Sequence, residues 1–152
     1  MKDKTPIFQS FYKEEFEGAK ADSTYLLSKQ LSQSIWAQNI DRNANTYFHL
    51  SDSHWLVTSK TINIGKWIES YNSEKPEKVI NLLNKFVNWS NEDIVWFCIN
   101  EDNIIETSWN VFKNAWIHFL YCENDCPILI AENKGKQAIV FRSIGDFLLI
   151  EH

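Results

Sequence analysis

Apolar residues recur at helical spacing through most of the first two thirds of this chain and in nearly unbroken runs toward its end. Leu27, Leu31 and Ile35 return every four residues, and Leu26 and Trp36 widen the stripe. That spacing predicts a helix over 23–39, with Asp22 or Ser23 supplying the side-chain oxygen that caps its free N–H groups. The segment 39–45, with Asp41, Asn43 and Asn45, reads as a loop. Two short apolar runs, 47–50 and 55–58, flank Ser51-Asp52-Ser53 and read as short strands about a turn. Ile64, Trp67, Ile68 and Tyr71 predict a short helix capped by Asn63. Val79, Leu82, Leu83 and Phe86 predict another over 75–88, with Pro76 in its first turn, where the missing N–H has no partner to lose. Near the start, Phe8, Phe11, Tyr12 and Phe16 either line one side of a short helix or belong to an arm packed on the body, because four aromatic rings are costly to leave in water.

The final sixty residues carry the clearest pattern. The run 94–99 (I-V-W-F-C-I) suits a strand buried on both faces. A helix starts at Glu106, Thr107 or Ser108 and aligns Trp109, Phe112, Trp116 and Phe119 at spacings of three and four. Strands follow at 127–131, 137–142 and 147–151, joined by the turns Asn133-Lys134-Gly135 and Ile144-Gly145-Asp146. Leu148, Leu149 and Ile150 are thereby expected to be structural. The expected fold is one α+β domain over 1–152. Its helices lie mainly in the N-terminal half and pack on a C-terminal antiparallel sheet of β-α-β-β-β order that ends in a meander.

Composition sharpens this picture. Aromatic residues make up 14% of the chain, including 7 Trp and 10 Phe, which predicts a large core and no disorder. The net charge is −5 and the Lys and Arg residues are scattered, which disfavours direct nucleic-acid binding. No apolar run reaches the ~18 residues of a membrane span and no leader-like segment follows Met1, so a soluble chain is expected. Three Cys residues, an odd number, argue against a disulfide framework and point to the cytoplasm.

One stretch resembles a known family. Phe97-Cys98, Ile105-Glu106-Thr107-Ser108-Trp109, Val111-Phe112-Lys113, Trp116, Phe119-Leu120 and Pro127-Ile128-Leu129-Ile130, followed by Lys136-Gln137, Phe141 and Gly145, are similar to a family of small bacterial proteins known only as a domain of unknown function. The similarity covers 96–149 well, and the earlier chain only in layout, through Trp36 and Trp55. It implies a free-standing bacterial cytoplasmic domain and brings no activity with it.

The candidate chemistry is sparse. His118, Cys122 and Cys126 are spaced by four, and their N and S donors suit zinc, with Cys98 as a fourth ligand if its strand comes alongside. A satisfied apolar Cys is the plainer alternative. His49, Asp52 and His54 could form a metal site or a base with its orienting carboxylate. No G-x-S-x-G elbow and no Gly-rich phosphate loop is present, and no cofactor is called for. The acids are more informative. Between Ser90 and Cys126 lie Glu92, Asp93, Glu101, Asp102, Glu106, Glu123 and Asp125, opposed only by Lys113. Their positions at the ends of predicted elements suggest one acidic rim, which would steer a basic partner. Ordinary solubilising charge is the simpler explanation.

The expectation is therefore a small acidic cytoplasmic binding protein that neutralises or regulates a basic protein partner, with an immunity protein against a nuclease-type toxin as the specific case. Trp55, Trp89 and Tyr121 are the expected aromatic anchors, since each lies at the edge of a predicted element. The alternative is a small hydrolase or metal-dependent enzyme using His49, Asp52 and His54, or His118, Cys122 and Cys126.

Overall fold

The computed structural model describes residues 3–122 and 125–152. Its centre is the run read above as a doubly buried strand. Strand β4 (Ile94–Asn100) pairs on one side with β5 (Asn103–Ser108) and on the other with β6 (Ile128–Ala131). From β6 the sheet continues as the expected meander through β7 (Gln137–Phe141) and β8 (Asp146–Glu151). Beyond β8 lies β3 (Lys60–Lys66), and beyond β5 lie β2 (Tyr25–Leu27) and β1 (Lys4–Pro6). The result is an eight-stranded antiparallel sheet in the order β1-β2-β5-β4-β6-β7-β8-β3. The class is α+β, as expected, but the division into an N-terminal helical half and a C-terminal sheet is overturned: β1, β2 and β3 come from the first half of the chain.

Each misplaced element has a physical reason. The helix expected from residue 23 begins at Lys29 (α1, Lys29–Asn39), because Ser23 takes a positive φ of 52° and Thr24 bonds Thr107 in the interior at 2.8 Å. Residues 25–27 then pair with β5, and the true cap is Ser28, whose Oγ accepts the Leu31 N–H. The runs 47–50 and 55–58 are not strands. Tyr47–His49 is a 3₁₀ turn and Trp55–Thr58 a helical turn (α2), and Leu56 turns its side chain into a core. Residues 60–66, whose Ile64 the spacing places in a helix, form a strand, and the helix α3 covers Ile68–Ser73. The strand β5 is not among the expected elements, which start the following helix at Glu106, Thr107 or Ser108. Only Ser108 keeps that role, capping α5 (Trp109–Tyr121) through the Val111 N–H. Helix α4 (Glu77–Phe86) lies within the expected span, with Pro76 as its N-cap rather than in its first turn.

Alternate residues of the central strands feed two separate cores. Val95, Phe97, Leu129, Ile139, Phe141, Phe147 and Leu149 point to one face, where α5 supplies Trp109, Phe112, Trp116 and Phe119 and α4 supplies Val79 and Leu83. Trp96, Cys98, Ile128, Ile130, Val140, Leu148 and Ile150 point to the other, covered by Ile35 and Trp36 of α1 and by Leu56. Helical layers on both faces explain why strands of an antiparallel sheet read as continuous apolar runs rather than as alternating ones. The N-terminal arm packs on the first core through Ile7, Tyr12 and Phe16, while Phe11 stays 84% exposed and Phe8 46%. At the outer edge β3 carries Lys60 and Lys66 at its ends and a register shift between Asn63 and Gly65.

The turn between β7 and β8 holds two layers together. Gly145 sits at φ +106°, and its carbonyl accepts the Trp67 N–H at 2.8 Å just ahead of α3. A Cβ there would lie 2.5 Å from Ile68 Cγ2, whereas a Cβ on Gly18, also at positive φ, would meet nothing within 4 Å. Gly145→Ala is therefore expected to cost about 3 kcal/mol, from backbone strain and overpacking together. Gly18→Ala should cost roughly 1 kcal/mol, from strain alone. Urea unfolding of the two variants, compared at equal slope, reads the difference, and equal losses would show that the contact with Ile68 has no weight.

Candidate functional site

The imidazoles are committed to structure more than to chemistry. His54 Nε2 meets the Ile40 carbonyl oxygen at 2.6 Å, and since a carbonyl only accepts, Nε2 carries the proton. Nδ1 is then the acceptor for the Leu56 N–H at 3.1 Å and caps α2. With both nitrogens engaged, His54 has no lone pair left for a metal or a substrate proton. His49 is exposed and bonds Asn45, and Asp52 is exposed in the turn between them. These three residues do not form the base-and-carboxylate arrangement their spacing allowed.

The second candidate cluster is divided by the sheet. Cys122 lies in the core under α5, with its thiol 3.6 Å from the His118 carbonyl oxygen, whereas Cys126 and Cys98 lie in the core on the opposite face. Cys126 Sγ sits 3.3 Å from Ser143 Oγ. His118, Cys122 and Cys126 therefore do not converge, because the helix ends at Tyr121 and Cys126 takes a positive φ of 34° as the chain turns into β6. Among the described residues no group of three His, Cys, Asp or Glu side chains is placed to hold a metal ion. Burial pushes the Cys122 thiol up to about 12, with the nearby Glu15 carboxylate adding to it, and pushes Cys98 higher still. Neither forms a thiolate readily at neutral pH.

The acids separate into three places instead of forming one rim. Asp93 sits just before β4, bonds the Ser90 N–H and pairs with Lys134 at 3.3 Å, and Glu92 is exposed beside it. Glu106 lies mid-strand opposite Trp96, where it pairs with Lys4 at 2.7 Å and accepts the Trp96 indole N–H at 3.0 Å. Glu101 and Asp102 form the turn between β4 and β5, at the opposite end of a strand roughly 20 Å long. Asp125 is exposed at that same end, because it precedes the residues that pair with Cys98. Glu123 lies outside the described residues. The lone basic residue of this interval, Lys113, is buried and bonds Asn84 and Asn91 at 2.8 and 3.0 Å, and burial lowers its pKa.

The aromatic anchors also need correction. Trp89 is buried, with its indole N–H on Gln137 at 2.6 Å and its ring against Trp109. Trp55 is half-buried against the second core between His54 and His152. Tyr121 alone of the three stays open, at 40% exposure. Spacing could not separate these cases, since all three sit at element edges.

What the structure does gather is one end of the sheet. Glu101 and Asp102 share a polar notch of about 150 Å³ with Asn45, Thr46 and Asn100. Backbone and side chain both fix it: Glu101 N–H donates to the Asn45 carbonyl at 3.0 Å, and Gln33 donates to Asp102 at 2.6 Å. Asn100 Oδ1 accepts the Asp102 N–H and the Asn103 amide, a local turn device available to Asn. The β7–β8 turn, at the same end, exposes Ile144 at 78%, and the segment bonded to Glu101 exposes Phe48 at 57%. Arg142 and Asp146 clamp that turn through two hydrogen bonds, and Asn63 bonds Asp146 from β3. Asp146 is held below the usual carboxylate range, chiefly by the Arg142 guanidinium. Sequence reasoning missed Phe48 and Ile144, although Ile144 beside a turn glycine was a visible signal.

Two outcomes test this assignment of roles. His54→Ala should cost about 1–2 kcal/mol, the loss of a cap and a buried bond, while His49→Ala should stay within about 0.5 kcal/mol. Urea midpoints decide, and equal effects would remove the structural role given to His54. The clamp predicts an acid limb. Because Asp146 has a lower pKa folded than unfolded, the unfolded chain takes up the proton first as pH falls, so its contribution is full above the ordinary carboxylate value and is lost below it. In Asp146→Asn that part of the pH dependence should vanish, read by thermal melts between pH 3 and 7, and an unchanged slope would contradict it.

The chain belongs to the family DUF2947, described as a protein of unknown function, which matches residues 7–149. No curated protein and no solved structure matches it.

Proposed function

We propose that this protein is a non-enzymatic binding domain that engages a basic protein partner through the sheet end bearing the β4–β5 turn, and so neutralises or regulates it. The specific case is an immunity protein acting in the cytoplasm against a nuclease-type toxin. The observation that carries this reading is the meeting of Glu101, Asp102 and Asp125 with the exposed Phe48 and Ile144 at one end of the sheet. Asp125 is exposed and Glu101 and Asp102 are half-buried at the surface, where acids speed encounter with a basic surface and fix its register. Apolar side chains supply the affinity when they enter pockets on the partner. Both turns are tied by hydrogen bonds, so little ordering cost is added on binding.

Several facts support the wider reading. The imidazoles at 49 and 54 are occupied or exposed singly, and the buried thiols are poor nucleophiles. All three cysteines are free, which suits a reducing compartment. Among the described residues no helix is long and apolar enough to cross a membrane. Of the acids first considered, Glu92 and Asp93 at the far end and Glu106 beneath Lys4 fall outside the proposed contact, as do Trp55 and Trp89.

The test is recovery of the partner by the tagged full chain from an extract of its own cells, at low and moderate salt, followed by binding kinetics with the purified partner. Glu101→Lys with Asp102→Lys should slow association about tenfold and flatten its salt dependence, while Glu92→Lys should leave both unchanged. Ile144→Asp should speed dissociation. A basic partner bound equally well by the double variant would remove the acidic turn from the interface. An acidic partner, or none at either salt, would defeat the reading.

A further inference from the structure

Helix α5 is broken at a single residue. Ala115 has φ −126° and ψ 18°, outside the helical region, in the middle of Trp109–Tyr121. Sharp departures of this kind have local causes and cluster at functional sites. A cavity of about 290 Å³ opens at the break, lined by Glu74, Pro76, Asn114, Ala115, His118 and Tyr121. The size is at the lower limit of small-molecule sites.

Most polar groups that line this cavity are acceptors, and the Tyr121 hydroxyl can both donate and accept. His118 Nδ1 lies 2.9 Å from the Glu15 carbonyl oxygen, so Nδ1 carries the proton and, in the neutral ring, Nε2 keeps a lone pair. That nitrogen has no hydrogen bond among the described residues. The ring is held in place by Phe16 stacked on it and by the edge of Tyr121. Asn114 spends its amide N–H groups on Asn110, which leaves Oδ1 as its open atom. Glu74 makes no ion pair among the described residues, and it holds a left-handed backbone (φ 56°, ψ 37°) at the C-terminus of α3. That conformation closes α3, with the Glu74 N–H on the Tyr71 carbonyl at 3.3 Å and the Lys75 N–H on the Ser70 carbonyl at 3.0 Å, and it leaves the Glu74 side chain exposed. The cavity also faces the last turns of α5, where the helix dipole is negative. Tyr121 adds an aromatic ring, and Pro76 and Ala115 form an apolar floor.

We propose that this cavity binds a small organic amine in its protonated form. The ammonium would sit between the Glu74 carboxylate, His118 Nε2 and Asn114 Oδ1, with Tyr121 adding cation–π attraction, and the apolar body would rest on Pro76 and Ala115. No Lys or Arg is among the described residues that line the cavity, so an anion finds no matching charge there. The site is separate from the proposed partner-binding turn at Glu101 and Asp102, and it stands whether or not that reading does.

The test is a titration of the full ¹⁵N-labelled chain with phenethylamine, followed by NMR, beside the neutral isostere 2-phenylethanol and zinc chloride. Saturable shifts at Glu74, Ala115, His118 and Tyr121 are expected with the amine, and binding of the alcohol should be about tenfold weaker. Glu74→Gln, an exposed change that leaves the fold intact, should weaken the amine about tenfold and the alcohol hardly at all. Equal affinity for amine and alcohol would overturn the proposal. So would shifts confined to other parts of the molecule, no saturation at millimolar concentration, or zinc displacing the amine at these residues.

Discussion

The fold is organised by central strands that have no wet face. Each central strand sends alternate side chains into two cores, so a polar residue at either position must find a partner inside the protein or be excluded. Most buried polar side chains obey that rule, Ser32 Oγ and Glu15 Oε2 being without a partner among the described residues. Thr107 bonds Thr24, Glu106 bonds the Trp96 indole and Lys4, and Lys113 on α5 bonds two asparagines. The cost of a doubly covered sheet is that chemistry-bearing groups are pushed to its ends and to the outer faces of the helices. The two places where recognition is proposed, the β4–β5 turn and the break in α5, lie there.

The same constraint decides how much could be read from the sequence. Strands β4, β6, β7 and β8 and helices α4 and α5 were legible, because their apolar residues follow one period over enough positions. The aromatic row Trp109, Phe112, Trp116 and Phe119 is buried as the spacing required. Where the reading failed, the local pattern was short and the sheet chose otherwise. Tyr25, Leu26 and Leu27 fit a helical stripe, but pairing with β5 and the left-handed Ser23 claimed them first. Ile104 and Ile105, two β-branched residues after an Asn-Glu-Asp-Asn turn, were a strand signal that the neighbouring helix start obscured. Ile62 and Ile64 alternate at period two, but Trp67 and Ile68 beyond them suggested a helix.

The candidate site was less legible than the fold. A cluster of acids in sequence became three groups in space, because β4 carries Asp93 and Glu101 to opposite ends. The cysteine spacing of four assumed a continuous helix, and the helix stops at Tyr121. The histidine pair failed for a different reason: capping and a carbonyl bond use the same two nitrogens that catalysis would need. The cavity depends on residues from two segments, at 74–76 and 114–121, and on a backbone break that no composition rule reports.

The pairing of β3 with β8 has a consequence for synthesis of the protein. Residues 60–66 leave the ribosome long before 146–151 exist, and at about 5–20 residues per second the wait is on the order of ten seconds. During that interval Ile62 and Ile64 have no sheet to join, and β2 likewise waits for β5. The nascent chain must carry unpaired strands while the central hairpin is still being made. The lysines at both ends of β3 and its bulge are the features that discourage those strands from pairing with a neighbouring nascent chain.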